Sequence, residues 1–333
     1  MIEGVRNCIV SRSDLPLDPE RLNVEPIVNW GGFSNRSFRI TDGSHAFVLK
    51  LASSPDAIPG LERWRTFADR LTPRYHAPEM VAWIEAPELN TAGPLFDLVP
   101  GITPERLDQV PLAELVTTLQ DLHHDRELAG DLAALGDRVT SCADAYRRVY
   151  HRRFTEDLDF VATAPPPFVS AHRIEWMRNE ADRLAGAIAG TRAFDAPANA
   201  AVHGDVWLNN LIVGPTSFCI LDWDGLELGD PAMDWAMLLG PTRADPCLLA
   251  SPEATRLPLD ETARERVHGY LRAALLDWII DPLADWVQSW HEPFGGDLIR
   301  EANERVHETA LACYLEMYAN SEANQDPAQD ADG

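Results

Sequence analysis

The sequence predicts a two-lobed α+β fold, with a small antiparallel β-rich N-terminal lobe and a larger, mainly helical C-terminal lobe. Three observations predict it. Short runs with partial period-two alternation crowd residues 23–99, with one helical pattern among them. Pro100-Gly101 then breaks the pattern. Beyond that break, apolar residues recur at three- and four-residue intervals for most of the chain.

The elements follow in order. Residues 1–22, with Pro16 and Pro19, read as an irregular lead-in. Glu25 to Trp30 reads as a strand, Gly31-Gly32 as a turn and Phe33 to Ile40 as the next strand. A turn at Asp42-Gly43 leads into Phe47-Val48-Leu49-Lys50-Leu51, a third strand. Leu61, Trp64, Phe67, Ala68 and Leu71 predict a helix over 57–72. Met80 to Ile84 and Leu95 to Val99 complete a lobe over 23–99. In the second lobe, 100–320, Leu112, Leu115, Val116, Leu119 and Leu122 keep helical spacing. Helices are expected near 137–153, 168–190, 230–240, 260–280, 282–291 and 296–319, with Asp281-Pro282 as a cap and first-turn proline. The polar stretch 321–333 reads as a disordered tail.

Composition narrows the function. An apolar content of 45% over 333 residues suffices for a large core. A net charge of −25 argues against a nucleic-acid or anionic-membrane partner, since both need a basic footprint. Salt adaptation or genome bias would also explain it. The five cysteines are scattered and lack CxxC spacing, which argues against a disulfide framework or a zinc site and points to the cytoplasm. No apolar run is long enough for a signal peptide or a membrane span.

The chemistry lies in two stretches. Val202-His203-Gly204-Asp205-Val206-Trp207-Leu208-Asn209-Asn210 is followed by Ile220-Leu221-Asp222-Trp223-Asp224. Phosphoryl transfer from a nucleotide needs a carboxylate that orients the attacking hydroxyl and takes its proton. It also needs an amide oxygen and a second carboxylate to hold Mg²⁺ on the phosphates. Asp205 is the candidate catalytic residue, and Asn210 and Asp222 are the candidate Mg²⁺ ligands. His203 and Asp234 are expected to support the loop, while Asp230 reads as a helix N-terminal carboxylate. Asp224 is either a further group at this site or a solvated turn residue.

Lys50 is the only lysine in the chain, and every other fixed cation is arginine. It stands where a compact ammonium would meet the α/β-phosphates. Gly31 and Gly32, before Ser34 and Asn35, would let a turn approach phosphates through backbone N–H groups. Glu62 is the candidate acidic partner of Lys50. Asp97 and Val99 would offer backbone groups to adenine.

In this order the parts resemble the aminoglycoside phosphotransferase and choline kinase superfamily, which has a protein-kinase-like fold. The resemblance spans roughly residues 25–320. GGFSNRSFRI resembles the family's nucleotide loop, FVLKL its lysine strand, LFDLVPG its hinge, LQDLH its Leu-His helix end, HGDVWLNN its catalytic loop and ILDWD its metal strand. It implies ATP or GTP, Mg²⁺ and transfer of the γ-phosphoryl group to a small-molecule hydroxyl. One departure is Asn209, where the family often has a small or proline residue.

The acceptor is not named by the resemblance, since one fold hosts many substrates. Trp278, Asp281, Asp285, Trp286 and Trp290 place aromatic faces beside carboxylates, which suits a cationic acceptor such as an amino alcohol or an aminoglycoside. The alternative is that these tryptophans pack in the helical lobe. A sugar is a further candidate, and the chain is expected to act as a monomer or homodimer. The other function class is a nucleotide-binding pseudokinase that regulates a protein partner. The intact Lys50, Asp205, Asn210 and Asp222 argue against it.

Overall fold

The structure, a computed structural model, describes residues 1–28, 33–138, 140–242, 245, 257 and 259–318. Gly31, Gly32 and the tail from 321 lie outside the described residues. Two compact units emerge. The first comprises residues 1–104, 109–119 and 209–226, and the second residues 105–108, 120–208 and 227–333.

The first unit is built on a five-stranded antiparallel sheet. Its strands are β1 (Asn23–Ile27), β2 (Asn35–Thr41), β3 (Ala46–Ala52), β4 (Met80–Ala86) and β5 (Thr91–Asp97), ordered β1-β2-β3-β5-β4. Alternation in β3 buries Phe47, Leu49 and Leu51 on one face and leaves Lys50 half-buried on the other. The helix after β3, Ile58–Tyr75, carries Leu61, Trp64, Phe67, Ala68 and Leu71 as a buried stripe. The Trp64 ring lies 4.4 Å from that of Phe96 in β5.

The lead-in is not irregular. Ile2–Val10 forms helix α1, and the helix over Ile58–Tyr75 is therefore α2. The sequence pattern is weak there because only Val5 and Ile9 are apolar at four-residue spacing and Gly4 intervenes. Packing of Val5 and Ile9 against both edge strands, β1 and β4, decides the matter. Arg6 anchors the following segment by donating to the Leu22 and Pro19 carbonyls.

The first unit also takes in a segment the sequence reading assigned to the 100–320 lobe. The hairpin between residues 211 and 220 joins it through two backbone links. Ile102 pairs with Val213, and Ile220 N donates to the His76 carbonyl at 2.9 Å. Such links, made far apart in sequence, leave no mark on local pattern.

The second unit is helical. After α3 (Leu112–His124), whose His123 end belongs to this unit, come α4 (Arg126–Ala134), α5 (Cys142–Tyr146), α6 (Arg152–Thr163) and α7 (Ala171–Ala189). A π-helical turn, Arg147–His151, joins α5 to α6. Strand β6 (Ala200–Val202) comes next. The hairpin strands of the first unit are β7 (Leu211–Val213) and β8 (Phe218–Ile220), and β9 (Glu227–Gly229) pairs with β6. Helices α8 (Pro231–Leu239), α9 (Glu261–Gln288) and α10 (Gly296–Tyr318) complete the described chain. Asp230 caps α8 by accepting from Ala232 N at 3.0 Å, with Pro231 at the first helical position.

Asp281-Pro282 does not start a helix, because α9 runs through Pro282. An interior proline costs about 3 kcal/mol by losing a hydrogen bond and crowding the preceding turn. Ile279, Ile280, Leu283 and Val287 are buried around it, and α9 packs on α6, α8 and α10. Each such side chain contributes about 1.5–3 kcal/mol, so packing outweighs the local signal. Cys8, Cys142 and Cys219 are free thiols, and Cys313 is disulfide-bonded. Among the described residues, no helix is long and apolar enough to cross a membrane.

Candidate active site

In the first unit, Lys50 is the centre of a polar cluster. Its ammonium forms an ion pair with Asp222 and lies 3.4 Å from the Asp224 carboxylate. It also stands 5.7 Å from the centre of the Trp64 ring. Asn35, buried at the start of β2, donates from Nδ2 to Asp224 at 2.7 Å. Glu62 is exposed on α2, so the acidic partners of Lys50 are Asp222 and Asp224 and not the helix glutamate. The reason is close approach. A Cβ on Gly60 would lie 3.3 Å from the Asp224 carbonyl oxygen, so α2 meets this loop through its glycine, and Glu62, two residues or about 200° further round the helix, is turned away from it.

The loop is held rigidly. Asp222 is left-handed, with φ +67°, a conformation that non-glycine residues seldom adopt and that recurs at functional sites. Trp223 is fully buried; its Nε1 donates to the Ile220 carbonyl at 2.7 Å. Its ring lies 6.1 Å from that of Tyr75. Arg63 of α2 donates to the Leu226 carbonyl at 2.9 Å.

Asn210 and Asp222 stand at one end of the β7–β8 hairpin. Leu211 pairs with Ile220, and Leu221 N donates to the Asn210 carbonyl at 2.7 Å. An amide oxygen and a carboxylate placed together match the hard oxygen chemistry of Mg²⁺, which uses few protein ligands. Among the described residues, no group of three or more His, Cys, Asp or Glu is arranged to hold a metal ion. Ser34 is exposed, and its carbonyl accepts from Ser53 N at 2.9 Å. Asp97 and Val99 line a cavity of about 500 Å³ with His76, Glu79, Phe218 and Cys219.

In the second unit, Asp205 follows a tightly anchored turn. Asp234, fully buried on α8, accepts from His203 N and Gly204 N, each at 2.9 Å. His123 Nε2 bonds the same carboxylate at 2.9 Å, and His203 Nδ1 accepts from Asp205 N at 3.1 Å. Burial alone would raise the Asp234 pKa. The bond from His123 and the neighbouring histidines and N–H groups outweigh it and hold the carboxyl below its ordinary range. Gly204 has φ +85°, which permits the sharp turn before Asp205. The Asp205 side chain itself is half-buried.

The residues expected at the acceptor site divide into two groups. Trp278 lies edge to face with Trp207 of the catalytic loop, ring centres 6.1 Å apart. Near it, Arg153 is ion-paired with Asp277 and lies 3.9 Å from Asp281. Trp286 and Trp290 are elsewhere. Trp286 packs on Phe168 at 5.9 Å, and Arg300 occupies the face of Trp290 at 3.7 Å from its centre. The chain's own guanidinium therefore fills the place offered to a ligand cation. Trp286 follows Trp278 by eight residues, roughly 12 Å along a helix, and cannot join it in one small cage. Asp285 is buried beside this second group.

Burial raises the Asp277 pKa to about 7 and that of Asp157 to about 6, in both cases against the lowering effect of Arg153. Sequence reasoning did not select Asp277, Arg153 or His123 as site residues. Asp277 adjoins Trp278 and His123 ends the LQDLH stretch, so each had a signal in the sequence; Arg153 is recognisable solely from its contacts.

The model of the APH phosphotransferase enzyme family matches residues 27–278, and the chain belongs to that family. No curated protein matches it in sequence. It is similar to the GDP complex of aminoglycoside 2'-phosphotransferase-IIIa (TM-score 0.61, 15% identity, 93% of this chain and 99% of that one). It is also similar to choline kinase from Cryptosporidium parvum Iowa II (TM-score 0.56, 15% identity, 95% and 96%). A third similar structure is spectinomycin phosphotransferase APH(9)-Ia with ADP and spectinomycin (TM-score 0.54, 14% identity, 94% and 98%). These identities establish the shared fold, a two-lobed, protein-kinase-like α+β architecture.

Proposed function

We propose that the chain transfers the γ-phosphoryl group of ATP or GTP to a hydroxyl of a small molecule: an aminoglycoside, an amino alcohol such as choline, or a sugar. The observation that carries the reading is the grouping of the only lysine, Lys50, with Asp222 and the Asn210 end of one hairpin. A triphosphate entering this cluster would take the ammonium of Lys50 as its counter-charge. Asn210 and Asp222 are the residues that would hold Mg²⁺. When bound, the ion neutralises charge on the phosphate oxygens.

In this reading Asp224, fixed by Asn35, keeps Lys50 in place when Asp222 turns to the metal. Asp205 accepts a hydrogen bond from the acceptor hydroxyl, aligns it and takes its proton as the bond to the γ-phosphorus forms and the bond from that phosphorus to the β-phosphate oxygen breaks, releasing ADP or GDP. Asp234 and His123 hold the loop so that little reorganisation is needed, and positioning supplies much of the rate. Trp207, Trp278, Asp277 and Asp281 favour an acceptor with an amine or several hydroxyls.

The test is release of ADP or GDP from Mg-ATP or Mg-GTP against aminoglycosides, choline, ethanolamine, hexosamines and sugars, at low and at molar salt. Acceptor-dependent release that Asp205→Ala abolishes is the expected result. Full phosphoryl transfer by Asp205→Ala would overturn the assignment of the base.

A further inference from the structure

On α2, the side chain that meets Lys50 is aromatic. The Lys50 ammonium lies over the Trp64 ring, 5.7 Å from its centre, within the range of a cation–π attraction. Both elements fix this geometry. Trp64 follows Gly60 by four residues, about 400° of helix, so the two share the face of α2 that approaches Asp224. Phe96 of β5 pairs with Val48 of β3, which puts it on the same sheet face as Lys50. The Trp64 ring packs on Phe96, with centres 4.4 Å apart, and is held against that face.

Two observations separate this ring from ordinary core packing. The Lys50 side chain is only 12% exposed, so the attraction acts in a largely dry setting, where it is strongest. Trp64 is 2% exposed, and its Nε1–H is buried without an acceptor among the described residues. A buried donor left unpaired is destabilising, and phenylalanine would fill the same apolar site without one. What the indole supplies in return is the strongest aromatic face for a cation.

We propose that Trp64 is the residue of α2 that positions Lys50, through its ring face, where a carboxylate from Glu62 was expected. The inference rests on the kinase reading and concerns how its nucleotide is held. A ring face draws in the ammonium without adding negative charge. The charge of Lys50 then stays available to the phosphates, while Asp224 remains its ionic anchor. A carboxylate at this point would compete with the phosphates for the same N–H groups.

The test uses the full chain and three changes at one position. Trp64→Phe keeps a weaker face, and Trp64→Leu removes it. Tetrafluorotryptophan at position 64 alone keeps the shape but depletes the negative charge of the face. Because Trp64→Leu also changes the packing, the fluorinated chain carries the decision. Lys50 is the only lysine, so lysine labelled with ¹³C at Cε gives a single side-chain signal. Its Hε protons should be shifted upfield by the Trp64 ring and return toward the free-lysine position in Trp64→Leu. The second measurement is KM and kcat for Mg-ATP and Mg-GTP, with Kd from the nucleotide-induced shift in Tm.

Nucleotide affinity should fall about two- to tenfold in Trp64→Leu and in the fluorinated chain, and less in Trp64→Phe, with KM changing more than kcat. An ordinary Hε position in the parent chain would overturn the proposal, by showing that Lys50 does not lie over the ring. Parent-like KM and Kd in the fluorinated chain would also overturn it, leaving Trp64 a packing role and the kinase reading intact. Affinity that falls on fluorination, in a chain that turns over no acceptor, would uphold the positioning of Lys50 and overturn the kinase reading. No nucleotide binding by the parent chain would overturn both.

Discussion

Replacing Asp234 with asparagine tests the anchoring of the catalytic loop. The carboxylate is fully buried and takes three bonds at 2.9 Å, from His203 N, Gly204 N and His123 Nε2. Asparagine has the same shape but only one acceptor oxygen. Its Nδ2 must face one of the two backbone N–H groups, which then becomes a buried donor without a partner. That loss costs about 1–3 kcal/mol, and weakening the remaining bond from ionic to neutral adds about 1 kcal/mol. A deficit of about 2–4 kcal/mol is expected in urea unfolding at pH 7, seen as a lower midpoint at constant m.

The pH dependence fixes the cause. The Asp234 carboxyl is held below its ordinary range in the folded state. Its stabilisation is therefore present above the unfolded-state value of about 3.9, and is lost as pH falls through the lower folded value. The gap between parent and variant should close in acid. Displacement of the loop by about 1 Å should also lower kcat by up to about 10²-fold. Unchanged stability at pH 7, or a gap that persists undiminished below pH 3, would refute the argument.

Two further substitutions probe the first unit. A Cβ at Gly93 would fall 1.9 Å from the Lys50 carbonyl oxygen and 3.1 Å from Leu51 Cα, both backbone atoms that cannot turn aside. Gly93→Ala should therefore destabilise by about 1–3 kcal/mol or more and weaken nucleotide-induced stabilisation, as read by thermal unfolding; a parent-like Tm would show that β3 and β5 can part without loss. Lys50→Arg replaces a compact ammonium with a planar fork, and the barrier should rise by about 1–3 kcal/mol. Unchanged kcat/KM would remove Lys50 from the mechanism.

The candidate site was legible to the extent that it is local. The Asp205, Asn210 and Asp222 spacing occupies eighteen consecutive residues, and Lys50 stands out because no other lysine exists. Strands and helices with buried periodic faces were legible too, β3 and α2 above all. The partner of Lys50 was not. Glu62 lies on the helix that follows Lys50 in sequence, whereas Asp224 is 174 residues away and reaches Lys50 only through the fold. The tryptophans near the end of α9 misled for a similar reason, since composition could not reveal that Arg300 covers Trp290.

By itself the sequence determined the fold class and the chemical groups of the reaction, because hydrophobic period and the spacing within one loop are properties of neighbours along the chain. Tertiary structure decided the rest. It chose α1 over coil, carried α9 through Pro282, set Asp224 on Lys50 and paired Asp277 with Arg153. Each of these outcomes depends on burial and contact between segments far apart in sequence, where packing energies of several side chains exceed the one to three kcal/mol that local propensity can impose.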